Sequence, residues 1–194
     1  MPKPLLDQIQ ESARIIGLMA EQERVITRVA LKLFDTLVDG GTIYLCGNGG
    51  SAAHAQHMAG ELMGRFQVDR TGYAAVALTA DSTLLTALGN DYGYDSVFVR
   101  QVRALMTDKD TLVCLSTSGR SPNVLKAAAY ARRVLGSTVI ALTGENDSDL
   151  SDVANWTIRA PSRNTARIQE AHQLCVHLLC DIIEQEMTSA DGMD

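Results

Sequence analysis

The chain is 194 residues long, 46% hydrophobic and 21% charged, with a formal net charge of −6 and a pI near 5.2. A chain of this size can bury one substantial core, and no composition break or low-complexity linker marks a second, so residues 1–194 are expected to form a single domain. The acidic balance and scattered basic residues argue against non-specific nucleic-acid binding, and no apolar run of about 18 residues could span a membrane.

The segment Met1 to Asp7 has no apolar signal core, so a soluble, cytoplasmic protein is expected. Helical periodicity then runs over 5–38 with a break near Ala20 to Glu23. Gly40 and Gly41 stop it, placing two helices over 1–40 ahead of a core over 41–187. Within that core the spacing predicts a strand over 42–46, a helix over 51–66, a strand over 73–79, and helices over 81–89 and 95–107. A strand over 111–116, a helix over 122–135, a strand over 137–143, a short helix over 148–154, a strand over 155–160 and a helix over 165–187 follow. This alternation implies an α/β fold, a three-layer α-β-α sandwich on a five-stranded parallel sheet, with ligands at the carboxyl ends of the strands. Cys46, Cys114, Cys175 and Cys180 form no C-x-x-C pair and sit in apolar patterns, so they read as reduced core residues.

Two strand-to-helix loops stand out. Cys46-Gly47-Asn48-Gly49-Gly50-Ser51 joins a strand to a helix through glycines that let backbone N–H groups approach an anion, next to the positive end of the helix dipole. Such a turn also occurs where only tight packing is needed. The second loop, Ser116-Thr117-Ser118-Gly119-Arg120-Ser121-Pro122-Asn123, places four hydroxyls and a glycine at the same end of another strand. There Ser121 suits the N-cap and Pro122 the first helical turn. Neither loop has the Gly-Lys-Ser/Thr ending of a P-loop or the G-x-G-x-x-G of a dinucleotide site, which favours a small phosphorylated ligand over a nucleotide.

The helix launched by the first loop carries His54, His57 and Glu61, with His57 and Glu61 one turn apart on a stripe that Arg65 extends. By itself this is equally a solvated polar face with Met58, Leu62 and Phe66 packed opposite. The C-terminal helix has an apolar stripe of Ile168, Ala171, Leu174, Cys175, Leu178, Leu179 and Ile182, and a second stripe of Gln169, Gln173 and His177 with His172 on its edge. His57, Glu61, Gln169 and His177 together supply two imidazoles and two oxygen donors, a set suited to a divalent metal such as zinc, although glutamine is an uncommon ligand. His54 is expected to point into solvent, because four ligands already complete a shell.

These motifs resemble the bacterial phosphoheptose isomerases of the sugar isomerase (SIS) fold. The likeness rests on 46–53, on Gln56, His57, Glu61, Arg65 and Phe66, on Gly89-Asn90-Asp91-Tyr92-Gly93, on 116–121, and on Arg167-Ile168-Gln169-Glu170 with His172 and His177. It implies isomerisation of sedoheptulose 7-phosphate to D-glycero-D-manno-heptose 7-phosphate, the first step toward nucleotide-activated heptose for lipopolysaccharide. It also implies Glu61 as catalytic base and His177 as its partner. Substrate would be held by Asn48, Gly49, Gly50, Ser51, Arg65, Asn90, Asp91, Ser116, Thr117, Ser118, Ser121 and Gln169, with zinc on His57, Glu61, Gln169 and His177. A homotetramer with sites shared between neighbouring subunits is implied as well.

The chain departs from the commonest family pattern at His54, where an aspartate is frequent, and at Ala166, where some members are acidic. Glu145 to Ser148 also replaces a glycine-rich turn. Metal ligation and acid–base duty compete at Glu61 and His177, since a metal-bound carboxylate is a weaker base and a metal-bound nitrogen takes no proton. Either substrate displaces part of the shell, or the metal marks a resting state. The rival from another class is a non-catalytic relative that binds the replication initiator DnaA, in which the position of Glu61 carries no carboxylate. A sugar-phosphate sensor is a third reading.

Overall fold

All five residues of Ile43–Gly47 and of Thr111–Leu115 are buried, as central strands covered on both faces must be. Alternate side chains serve opposite faces: Ile43, Leu45, Val113 and Leu115 join one apolar cluster, whereas Tyr44, Cys46, Leu112 and Cys114 join the other. The computed structural model describes residues 4–191 of the chain. Two N-terminal helices, α1 (Leu5–Leu18) and α2 (Glu23–Val38), are joined by a 3₁₀ turn at Met19–Gln22. There follow β1 (Ile43–Gly47), α3 (Gly50–Met63), β2 (Ala75–Ala77), α4 (Ser82–Tyr92), α5 (Val97–Leu105), β3 (Thr111–Leu115) and α6 (Pro122–Tyr130). The chain continues with β4 (Thr138–Thr143), α7 (Asp149–Val153), β5 (Trp156–Arg159) and α8 (Thr165–Asp191).

The five strands pair in parallel in the order β2-β1-β3-β4-β5. The chain leaves β1 for β2 on one side and then crosses to β3 on the other, so the β1/β3 boundary is where connections diverge and a crevice opens at the carboxyl ends. Both loops singled out in the sequence lie there. One face of the sheet is covered by α1, α2, α3 and α8, the other by α5, α6 and α7. Arg167 and Glu170 tie α8 to α1, through Arg167 to the Gln8 carbonyl at 2.6 Å and Ser12 to Glu170 at 2.6 Å.

Several elements depart from their expected bounds; α4 runs on to Tyr92 rather than 89 and α8 to Asp191 rather than 187. The strand expected over 73–79 shrinks to Ala75–Ala77, because it is an edge strand and the Tyr73 N–H is given to the Leu62 carbonyl at 2.9 Å. The helix expected to run to 66 ends at Met63, where Gly64 turns the chain. Arg65 therefore lies beyond the helix, exposed, and does not extend the His57–Glu61 stripe. The helix expected over 122–135 relaxes into a π turn at Ala131–Leu135 and stops at Gly136, which takes the left-handed conformation at φ 77°. All four cysteines are free and buried, as expected.

Candidate functional site

The first loop is shaped by Gly47 and Gly49. A side chain on Gly47 would come within 2.9 Å of the Leu115 carbonyl, so this β1–β3 packing requires glycine. Gly49, at φ 57°, turns the chain into α3 and places Ser51, buried, in its first turn. Asn48 bridges the two loops. Its amide and that of Asn123 exchange two hydrogen bonds, 2.9 and 2.8 Å, and its carbonyl oxygen also accepts from the Tyr94 hydroxyl at 3.0 Å. The two loops are thus clamped together. Neither Asn123 nor Tyr94 was singled out in the sequence; the available signal was an asparagine immediately after Pro122.

In the second loop Ser116 is buried, and its hydroxyl lies 3.2 Å from that of Ser121 and accepts the Gly119 N–H at 3.2 Å. Gly119 sits at φ 62°, which turns the loop back over the strand end. Ser121 occupies the N-cap position of α6, but its hydroxyl faces Ser116 rather than the helix N–H groups. Beside this loop lies a cavity of 210 Å³, lined by Thr117, Ser118, Arg120, Gly144, Ser162 and Arg163 among others, so the hydroxyl-rich turn borders open space at the sheet's carboxyl edge.

The polar faces of α3 and α8 meet next to the first loop. His57 Nε2 lies 3.1 Å from His177 Nε2, with the rings tilted by 58°. His57 Nε2 is also 3.4 Å from Glu61 Oε1. The Gln173 amide nitrogen approaches His177 Nε2 at 2.9 Å, and the Phe66 ring lies against the His177 ring with centroids 5.9 Å apart. With Gln173 donating, His177 Nε2 accepts, so its proton sits on Nδ1. The His57 side chain is 41% and Glu61 23% exposed, so the cluster is open to solvent on one side.

Gln169 sits in front of the first loop: a side-chain carbon placed on Gly50 would lie 2.5 Å from its amide nitrogen. Gly50→Ala is therefore expected to leave the fold intact, since the clash is with the end of a flexible side chain, while displacing Gln169 from the site. A fall in turnover of about tenfold or more with the melting temperature kept within a few degrees would confirm it; unchanged turnover would show that Gln169 is not needed there.

A tetrahedral ion bound at about 2.0–2.1 Å separates its donor atoms by roughly 3.3 Å. The His57–His177 and His57–Glu61 separations of 3.1 and 3.4 Å match that edge. The fit extends to donor chemistry and these two edges only. Among the described residues no three His, Cys, Asp or Glu side chains form a ready-made metal cage.

His172 and His54 sit behind this cluster. His172 is fully buried on α8, its Nε2–H donating to the Thr143 carbonyl at 3.1 Å where β4 ends, and its Nδ1 has no partner. Burial pulls its pKa down to about 4, despite the carbonyl bond that favours the charged form. The unfolded chain therefore binds a proton at pH values where the native chain does not. Stability should be complete above about pH 6.5 and fall by roughly 3 kcal/mol as the pH drops to about 4. His172→Asn should flatten that part of the stability-versus-pH curve measured by urea unfolding; a curve that keeps its slope would reassign the effect. His54, expected to face solvent, is instead half-buried, with Nδ1 enclosed and unpartnered and its pKa lowered first by burial and then by His57.

Two further residues that sequence reasoning missed hold this site in shape. Arg70 donates to the carbonyls of Glu61 at 3.0 Å and Leu62 at 2.9 Å, closing the carboxyl end of α3, and its guanidinium lies 3.7 Å from the centre of the Tyr73 ring. Glu184, buried on α8, takes a hydrogen bond from Arg70 at 2.9 Å and from the backbone N–H groups of Phe66, Gln67 and Val68 at 2.8–3.1 Å. Asn90 and Asp91, at the end of α4, bond to each other at 2.8 Å and are exposed. Among the described residues no hydrogen bond joins them, Arg65 or Gln169 to the His57 cluster.

The SIS domain family matches residues 8–144. The chain is 45% identical over 186 residues to the phosphoheptose isomerase of Aliarcobacter butzleri, covering 96% of both chains. It is 49% identical over 161 residues to that of Helicobacter hepaticus, covering 83% of this chain and 82% of the relative. The phosphoheptose isomerase structure from Neisseria gonorrhoeae superposes with a TM-score of 0.88 at 40% identity, over 93% of this chain and 97% of that one. By sequence over nearly its full length and by fold, the chain belongs to the phosphoheptose isomerase family of SIS-domain proteins.

Proposed function

We propose that this protein is an aldose–ketose isomerase that converts sedoheptulose 7-phosphate to D-glycero-D-manno-heptose 7-phosphate, supplying a precursor of activated heptose for surface glycoconjugates. The observation that carries the reading is Glu61 on α3 meeting His57 and His177 at 3.4 and 3.1 Å, next to two clamped loops rich in glycine and hydroxyls. The hydroxyls of Ser116, Thr117, Ser118 and Ser121 hold the phosphate, and the first loop, with Ser51, aligns the sugar against α3. Glu61 takes a proton from C1, leaving an enediolate, and returns it to C2. His177 moves the proton between the two oxygens, O1 losing one as O2 gains one.

His57, Glu61, Gln169 and His177 are the residues that would hold a zinc ion, whose chemistry when bound is to stabilise negative charge on oxygen. The carboxylate of Glu61 in this cluster favours an enzyme over the DnaA-binding or sensor readings. Exposed Leu5, Leu6 and Ile9 on α1, and exposed Met63 and Val68 in the segment that follows Glu61, support a homotetramer. Light scattering should then give about four times 20.9 kDa.

The deciding test is incubation with sedoheptulose 7-phosphate, following aldoheptose 7-phosphate by NMR with and without a chelator. Product in the untreated sample supports the isomerase, and its loss on chelation, restored by zinc, supports the metal. No product under either condition would overturn the reading and point to a binding protein, which a pull-down with DnaA would then identify.

A further inference from the structure

On the face of the sheet opposite α8, the outer surfaces of α5 and α6 enclose a groove of 580 Å³. That volume falls in the range of roughly 300–1,000 Å³ typical of small-molecule sites. Arg100 and Arg103, one turn apart on α5, form one wall; Lys126 and Arg133, from α6 and its π turn, form the other. Two of these cations lie over aromatic rings: the Arg100 guanidinium is 3.7 Å from the centre of the Tyr92 ring and that of Arg103 4.8 Å from the centre of the Tyr130 ring. A cation–π contact of this kind restrains the guanidinium while leaving its N–H groups free to bind oxyanions.

Among the described residues no carboxylate pairs with Arg100, Arg103 or Arg133. Lys126 alone has one, Asp95 at 3.2 Å. Four cations against one carboxylate leave an excess of three positive charges at this spot in a chain whose net charge is −6. The π turn that presents Arg133 is a backbone form found mostly as isolated bulges, frequently at functional sites.

From this geometry we propose that the α5–α6 groove is a second anion site, separate from the sugar-phosphate loops, that takes a diphosphate group such as that of a nucleoside diphosphate. A monophosphate ester, with about two negative charges at neutral pH, falls short of the excess of three. A diphosphate ester meets it, and its two phosphates can engage the α5 and α6 walls together with bidentate contacts from the arginines. The segment that lines the groove also reaches the first loop. Tyr92, under Arg100, is followed by Gly93 at φ 79° and then by Tyr94, whose hydroxyl bonds Asn48 at 3.0 Å. The second site goes beyond the isomerase reading and stands or falls independently of it.

Calorimetric titration of the full chain with ADP, inorganic pyrophosphate and inorganic phosphate tests the site. ADP and pyrophosphate should bind at one per chain, at least tenfold more tightly than phosphate, with affinity falling as salt rises. The double variant Arg100→Ala/Arg103→Ala should weaken both by at least tenfold while keeping the wild-type circular dichroism spectrum, and Ser118→Ala in the sugar-phosphate loop should leave them unchanged. The proposal is overturned if neither probe binds, if the arginine variant binds as wild type, or if Ser118→Ala abolishes binding. Tight binding of pyrophosphate but not ADP would also refute it for nucleotides and restrict the site to free diphosphate. Binding of polyglutamate without either probe would make the groove a protein-docking surface and sink it.

Discussion

Glu61→Gln should lower kcat by about 10²–10⁴-fold, the contribution of a positioned general base, while the sugar phosphate still binds. The substitution keeps the size of the side chain beside His57 and removes its negative charge and with it the capacity to take a proton from carbon. The two strand-end loops are clamped by Asn48, Asn123 and Tyr94, and among the described residues no hydrogen bond joins them to Glu61. Steady-state kinetics with a direct binding titration decides the matter: near-normal turnover would remove Glu61 from the base role. His177→Asn should also fall sharply in kcat, since proton movement between the oxygens would lose its carrier.

The second large effect is on stability. Glu184→Ala should destabilise the protein by about 3–5 kcal/mol, because it leaves Arg70 buried without its carboxylate and three backbone N–H groups without an acceptor. For a chain of this length that corresponds to a fall of roughly 10 °C or more in the melting temperature. Burial alone would push the Glu184 carboxyl up, but the backbone N–H groups of residues 66–68 and Arg70 outweigh it and hold it below its ordinary 4.5. Its stabilisation is therefore complete above about pH 4.5 and is lost as the pH falls through the lower, native value. A thermal-denaturation series from pH 7 to 3 should show wild type losing stability in that acid range and the variant losing less. A variant that melts with wild type at pH 7 would refute the assignment. Because Glu184 fixes the Phe66–Val68 turn and Phe66 packs on His177, some loss of turnover should accompany the loss of stability.

The parallel sheet was legible because Ile43–Gly47 and Thr111–Leu115 are uninterrupted apolar runs between helical patterns, and periodicity reports burial directly. The ends of elements were less legible. Whether α3 stops at 63 or 66 depends on Arg70 returning from beyond the turn to take the last carbonyls, a contact that sequence spacing cannot express. Within the motif Arg167-Ile168-Gln169-Glu170, the sequence could not separate Arg167 and Glu170, which hold α1, from Gln169, which faces Gly50. His172 was placed at the edge of a polar stripe, yet it is fully buried, because the end of β4 offers a carbonyl that only the assembled sheet brings to it.

The sequence by itself therefore determined the fold class, the two glycine- and hydroxyl-rich turns at the strand ends and the residue types able to move protons, since each follows from local pattern and spacing. Only the tertiary structure decided which of those residues meet. His57 and His177 are 120 positions apart, and their 3.1 Å approach depends on α3 and α8 packing on the same face of the sheet. Asn48 likewise became a clamp because β1 and β3 are neighbours, which sets the two loops side by side. Contacts between distant segments are fixed by the packing of whole elements, and no local stretch of the chain carries that information.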